Sequence, residues 1–296
     1  MTRPWFSDRP VLPPVVLAIG DLDRTEFSEA AASLARGVQL VRATGIQQAI
    51  ESFSLEDVHP DVIVLAQAWP GQFSLADVDR LRQAAPLTRI IGLLGSWCEG
   101  EARSGAPWPG VPRIYWHQWP VRWRTELARH ATGVCPAWGQ PVTFTEEERL
   151  LLPVNEMDSR QGTVALSCHD PAVEAWLSAA LGAQDYSCVA ITGSLSTRIR
   201  GVDAALWEEH ACDAAEVEDL KRLVAALAPA PVLALLSFPR AEDCERTLSG
   251  GAVAILSKPL LLGDLFAELE RVLPGRRSSY FDSSPVLEEA RPAIQS

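Results

Sequence analysis

The sequence predicts an α/β protein made of two successive units, each a parallel, doubly wound sheet covered by helices. Three observations carry this expectation. Short runs rich in Val, Ile and Leu, apolar on both faces, alternate with segments whose apolar residues recur every three or four positions. That alternation occurs twice, once on each side of a proline-bearing stretch at 133–160. With 296 residues, 47% of them hydrophobic and 22% charged, the chain is also long enough to build two ordinary cores.

In the first half the strand-like runs are VVLAI (15–19), VQLVRA (38–43), DVIVLA (61–66), RIIGLL (89–94) and VPRIYW (111–116). Between them EFSEAAASLARG, GIQQAIESF and SLADVDRLRQAA have helical spacing, and Ser74 stands where an N-cap belongs. The second half repeats the order with strands at 163–168, 187–192, 202–207, 231–236 and 252–256, and helical patterns PAVEAWLSAALG, DAAEVEDLKRLVAAL, RAEDCERTLSGG and LLLGDLFAELERVL. The expected organisation is an arm (1–12), a first unit (13–131), a linker with room for one short helix (132–160), a second unit (161–274) and a disordered polar tail (275–296).

A formal charge of −12 offers no basic field for nucleic acid or anionic lipid, so neither is expected as a partner. Prolines interrupt the N-terminal apolar run, and PPVVLAIG is too short to span a bilayer, so a cytoplasmic protein is expected. Six cysteines, Cys98, Cys135, Cys168, Cys188, Cys212 and Cys244, stand singly without a C-x-x-C pair, which argues against zinc ribbons and disulfide frameworks. Phosphate-loop, dinucleotide-binding and nucleophile-elbow motifs are missing as well. In alternating βα sheets, ligands meet the loops at the carboxyl ends of the strands.

The stretch PVLALLSFPRAEDCERTLSGGAVAILSKPLLLGDLFAEL resembles the last two strands and helices of a receiver domain of two-component response regulators, the flavodoxin-like fold of CheY. The resemblance extends, degenerate, to both halves, and implies two tandem CheY-like domains with five-stranded parallel sheets. In that family an Asp ending the third strand accepts a phosphoryl group, acids after the first strand help hold Mg²⁺, a Ser or Thr ends the fourth strand, and a Lys precedes a Pro after the fifth. Hard oxygen ligands suit Mg²⁺, and an ammonium neutralises a transferring phosphoryl group.

Lys258 before Pro259 matches that Lys. Counting from Asp203 puts the acceptor position on Glu208, a residue that carries a permanent carboxylate without being a normal acceptor. Cys168 and His169 stand where the paired acids belong, with Asp170 just beyond; Leu236 occupies the Ser/Thr position, with Ser237 beside it. In the first half the acceptor position falls on Ala66, Trp119 before Pro120 takes the place of the Lys, and Asp21 and Asp23 remain after strand one. The resemblance thus implies a pocket of Asp170, Glu208, Ser237 and Lys258, in which Lys258 pairs with Glu208 or Asp170 or is simply solvated. The spacing from acid to acceptor is shorter in the second half, which implies that GSLSTRIRG replaces its second helix with a loop or single turn.

Trp97, Trp108, Trp116, Trp119 and Trp123 crowd one segment of the first unit. They either dock a partner, as large rings do in binding hot spots, or fill the space of a missing fourth helix. The functional expectation is a non-enzymatic tandem pseudo-receiver that binds protein partners, a histidine kinase or another signalling protein, without an aspartyl-phosphate cycle and without a cofactor. One alternative is a stand-alone regulator that binds Mg²⁺ through Asp170 and Glu208 or is phosphorylated elsewhere. Another is a small enzyme using Cys98 and His117, with Glu99 and Glu101 nearby. His169 beside Cys168 is a lone metal-type residue with no second ligand at the right spacing.

Overall fold

The computed structural model describes residues 12–55, 59–100, 105, 107–140, 162–191, 198–211 and 213–273. Among them the first unit contains strands β1 (Val15–Ile19), β2 (Gln39–Ala43), β3 (Val62–Gln67), β4 (Arg89–Leu94) and β5 (Arg113–Tyr115). Its helices are α1 (Ser28–Leu34), α2 (Ile46–Leu55), α3 (Leu75–Ala84) and α4 (Trp119–Ala131). The second unit contains β6 (Gly162–Ser167), β7 (Tyr186–Ala190), β8 (Ala204–Glu208), β9 (Val232–Ser237) and β10 (Ala254–Lys258). Its helices are α5 (Pro171–Gly182), α6 (Ala214–Leu227), α7 (Ala241–Ser249) and α8 (Leu262–Val272).

Every strand pairing is parallel, and the strand orders are β2-β1-β3-β4-β5 and β10-β9-β8-β6-β7. Read by position within each unit, both orders are 2-1-3-4-5, the flavodoxin-like order of a doubly wound sheet. All six residues of β3 and all five of β8 are buried, as central strands covered on both faces must be. Each sheet therefore has an apolar cluster on either side, around Phe27 and around Leu65 in the first unit, and around Phe266 and around Leu220 in the second.

Local chemistry explains where the helices begin. The Ser74 hydroxyl accepts from the Asp77 amide while Asp77 Oδ2 accepts from the Ser74 amide, a reciprocal cap that starts α3. Asp170 caps α5 by accepting from Ala172 N at 2.8 Å, with Pro171 at the first helical position where a missing N–H is harmless. Asp213 does the same for α6.

One bond recurs in both units at the same place. Asp61 Oδ2 accepts from Val15 N, and Asp203 Oδ2 accepts from Thr163 N, both at 2.8 Å, tying the start of the third strand to the start of the first. This shared bond aligns Ala66 with Glu208. The ladder registers agree, since Ala66 faces Leu93 and Glu208 faces Leu235.

Between β4 and β5 the described residues form a single 3-10 turn, Ser96–Cys98, where the second unit has the helix α7. Residues 198–203, ahead of β8, carry no helix, and 192–197 lie outside the described residues. The expected tail at 275–296 and most of the expected linker lie outside them too. The described end of that linker belongs to the first unit: Ala137–Gly139 form a short turn, and Trp138 is buried in the cluster of Phe27.

Helix α8 packs against α4, joining the units through Arg122 and Asp264 at 3.2 Å and through an ion pair between Arg124 and Glu268. Ala241 and Cys244 of α7 rest on the first unit's core. Burial pushes the Asp264 carboxyl up, opposed by the Arg122 guanidinium beside it.

Candidate functional site

The carboxyl ends of β6, β8, β9 and β10 bring Glu208 and Lys258 together. Lys258 Nζ donates to Glu208 Oε1 at 2.6 Å, and the other carboxylate oxygen accepts from the backbone amides of His169 and Asp170, each at 3.0 Å. The Glu208 side chain is only 4% exposed, so its charge is held by one ammonium and two amides rather than by water. Of the two partners expected for Lys258, the structure selects Glu208, while Asp170 is spent on capping α5. Ser237 lies opposite Lys258 across the β9–β10 ladder, exposed, and its hydroxyl makes no bond to Glu208 or Lys258.

Beside this pair lies an open cleft lined by Cys168, His169, Trp207, Glu216 and Arg222. His169 stacks on His210 at 3.8 Å, and Glu216 accepts from the amides of His210 and Ala211. The Cys168 thiol is pushed up to about 12, first by burial and then by the Glu208 charge, so it stays protonated.

The residues do not fit the Mg²⁺ that the receiver resemblance implies. A magnesium ion needs several hard oxygens converging with open lone pairs. Here both Glu208 oxygens already accept hydrogen bonds, Asp170 faces its helix, and Cys168 and His169 replace the remaining acids. Among the described residues no group of three or more His, Cys, Asp or Glu is arranged to hold a metal.

In the first unit the register corrects one expectation. Leu94 pairs with Tyr115, as Leu236 pairs with Ser257, so the position of Lys258 is taken by Trp116 and not by Trp119. The separations agree, since 116 − 66 and 258 − 208 are both 50. Trp119 is instead the first residue of α4, so Pro120 marks the start of a helix rather than the end of a strand.

The tryptophan surface is also corrected. Trp108, Trp116, Trp119 and Trp123 are buried, with Trp119 and Trp123 stacked at 5.2 Å; only Trp97 of the five is exposed, at 74%. The rings belong to the core, three of them in the cluster of Phe27 and Trp108 in that of Leu65. Trp69, 49% exposed, joins Trp97 at the carboxyl ends of β3 and β4, with the Arg24 guanidinium 5.8 Å from its ring.

The pairing of Cys98 with His117 that the enzyme alternative needs is not formed. Cys98 is fully buried with its sulfur on Gln67, 3.5 Å from the carbonyl oxygen, while His117 Nε2 faces Glu99 Oε1 at 3.4 Å.

Sequence reasoning missed Glu26. Its Oε2 accepts from both the amide and hydroxyl of Ser96 at 2.8 Å, and its Oε1 accepts from Arg24 Nε at 3.0 Å. A carboxylate fixed by one cation and loop donors thus occurs in each unit, reached from different positions. Asp21 and Asp23 drew attention because they directly follow β1, whereas Glu26 sits a turn further on.

No family model matches the chain, and no curated protein matches it. Solved structures do. A response regulator receiver protein from Pseudoalteromonas atlantica is 19% identical, over 37% of this chain and 95% of its own, with a TM-score of 0.33. The signal receiver domain of a modulated diguanylate cyclase from Desulfovibrio desulfuricans is 22% identical over 38% of this chain and 94% of its own, with a TM-score of 0.33. A protein described as a two-component system response regulator/GGDEF domain protein is 12% identical over 88% of this chain and 98% of its own, with a TM-score of 0.34. The architecture itself is carried by the strand order and registers of the two sheets.

Both halves have the flavodoxin-like fold. The two units differ near the carboxyl end of the third strand, with Ala66 in the first and a paired Glu208 at the corresponding position of the second. None of the described helices is long and apolar enough to cross a membrane.

Proposed function

We propose that the chain is a tandem pseudo-receiver, a regulatory protein that engages a protein partner without running an aspartyl-phosphate cycle. The observation that carries this reading is the occupied Glu208 carboxylate, whose two oxygens are engaged by Lys258, His169 and Asp170. An acceptor must present an oxygen to an incoming phosphoryl group alongside a metal that neutralises it. Here the carboxylate is held, and the metal-binding oxygens are lacking. In the first unit Ala66 has no carboxylate at all.

The partner is a signalling protein, a histidine kinase or a protein that reads receivers. The exposed Trp69 and Trp97 offer it rings at the carboxyl ends of β3 and β4, in keeping with the preference of binding hot spots for Trp.

Intact-mass measurement after incubation with acetyl phosphate and Mg²⁺ tests the reading, with Glu208→Asp run in parallel. The wild type is expected to keep its mass. Gain of a phosphoryl group by the wild type would overturn the proposal, and gain by the variant alone would identify the Glu as what stops the chemistry.

A further inference from the structure

Each five-stranded sheet ends in two edge strands, β2 and β5 in the first unit and β7 and β10 in the second. An open edge is a template for another strand, and folded proteins blunt it with charge, proline or shortness. β2 carries Arg42, β10 ends on Lys258, and β5 has only three residues, Arg113 among them. β7 consists of Tyr186, Ser187, Cys188, Val189 and Ala190, with neither a charge nor a proline.

The ladder fixes which groups of β7 face outward. In a parallel pair each residue turns both its N–H and its C=O to one side, and the side alternates along the strand. Ile191 N donates to Leu166 O, so Ser187, Val189 and Ile191 face β6, and the backbone groups of Cys188 and Ala190 face away from it. Neither of those two amides has an acceptor among the described residues. Ser187, Val189 and Ala190 are exposed, Val189 at 46%.

The helix beside this edge leaves room as well. Ser178 of α5 lies against the Cys188 thiol, and steps of three and four along the helix put Pro171, Ala175 and Gly182 on the same flank. All four are uncharged and exposed, and a Cβ added at Gly182 would meet nothing within 4 Å. The one charged residue of α5, Glu174, acts on Cys168 just past the end of β6, inward of the edge.

Charge selects what can cover this edge. At −12 the chain repels its own copy over most of its surface, and a two-fold contact sets each residue near its symmetry mate. The β7 edge and the α5 flank form a patch where no like charges meet. We propose that β7 is a self-association edge, at which two copies of the chain pair antiparallel about a two-fold axis through Cys188 and join their second-unit sheets. Cys188 then faces its mate, Val189 faces Ser187, and Ala190 faces Tyr186, while the α5 helices meet along their small-residue flanks. Asp185, which precedes the strand, lies at opposite ends of the ladder in the two copies, about 20 Å apart. The proposal stands apart from the pseudo-receiver reading and does not depend on it.

Sedimentation of the full chain from low to high micromolar concentration tests it, with amide hydrogen exchange read over the same range. The mass is expected to rise from 32.2 kDa toward twice that value, and exchange at the Cys188 and Ala190 amides to slow as the dimer forms. Val189→Lys is expected to weaken association about tenfold or more, because the two-fold contact brings the lysines within about 8 Å of each other. Ala175→Glu leaves the strand intact, sets like charges between the helices, and is expected to weaken association to a similar extent. Both sites are exposed, so the fold of the monomer is expected to be kept, which circular dichroism checks.

A chain that stays monomeric throughout would overturn the proposal and leave the edge to a strand of another protein. A dimer undiminished in either variant, or one in which Cys188 and Ala190 exchange as fast as in the monomer, would overturn it by placing the interface elsewhere.

Discussion

Replacing Lys258 by Met removes the ammonium while keeping most of the apolar stem. At 2.6 Å and an effective dielectric constant of about 20, the lost Coulomb attraction is roughly 6 kcal/mol before desolvation is subtracted. Removing one member of a buried pair costs about 3–5 kcal/mol, because the remaining charge is stranded. Glu208 retains two amide donors, and Lys258 is 27% exposed, so water can enter; the expectation falls to about 2–4 kcal/mol. Hydrogen exchange at the His169 and Asp170 amides is the assay, since both bonds end on the stranded carboxylate. Their exchange should accelerate about 30- to 1,000-fold, at tenfold per 1.4 kcal/mol. Pairing Lys258→Met with Glu208→Gln should restore much of the protection, because the stranded charge is then gone. A loss below about 0.5 kcal/mol in the single variant would place the pair among solvated surface salt bridges and refute the argument.

Two further outcomes follow from packing and burial. A Cβ at Gly95 would lie 2.9 Å from Glu26 Oε1 and 3.0 Å from Ala68, so Gly95→Ala is expected to cost about 1–3 kcal/mol in urea unfolding and to loosen the Glu26–Ser96 contact; a neutral variant would show that the loop yields freely. The Cys168 and Cys244 thiols are pushed up to about 12, chiefly by burial, so below that pH they remain thiols in the folded chain; iodoacetamide at mildly alkaline pH should label exposed Cys135 first and reach these two only on unfolding. Labelling of either at the rate of Cys135 would contradict their burial.

The sheets were legible because burial on both faces leaves a sequence signature. The runs at 15–19 and 89–94 coincide with β1 and β4 to the residue, and PAVEAWLSAALG is α5 from end to end. Elsewhere strand ends shifted by a residue or two, since the backbone ladder and not periodicity decides them. The run at 252–256 begins two residues before β10, whose last residue, Lys258, still pairs with Ser237 in the ladder.

The site was half legible. Lys258 and Glu208 could be placed by counting within a regular repeat, but the division of labour between Glu208 and Asp170 could not, since it depends on which carboxylate turns back to cap a helix. The exchange of Trp119 for Trp116 has a similar origin. A proline after a strand and a proline opening a helix look alike in sequence, and only the ladder register distinguishes them. Burial of the tryptophans was hidden for another reason, since rings suited to an interface are equally suited to a core.

The way Glu208 is held has a consequence for information. A switch reports on its input only if its atoms have two arrangements of comparable free energy, and a message is the difference between them. Under the proposed reading, a carboxylate gripped at both oxygens has one. Under the pseudo-receiver reading, nothing written by a kinase can be stored at this position, and the quantity that varies is how many copies of the chain are present and which surfaces they occupy. The chain would then act by stoichiometry, in the manner of a competitor or an adaptor whose output is set by its synthesis and removal.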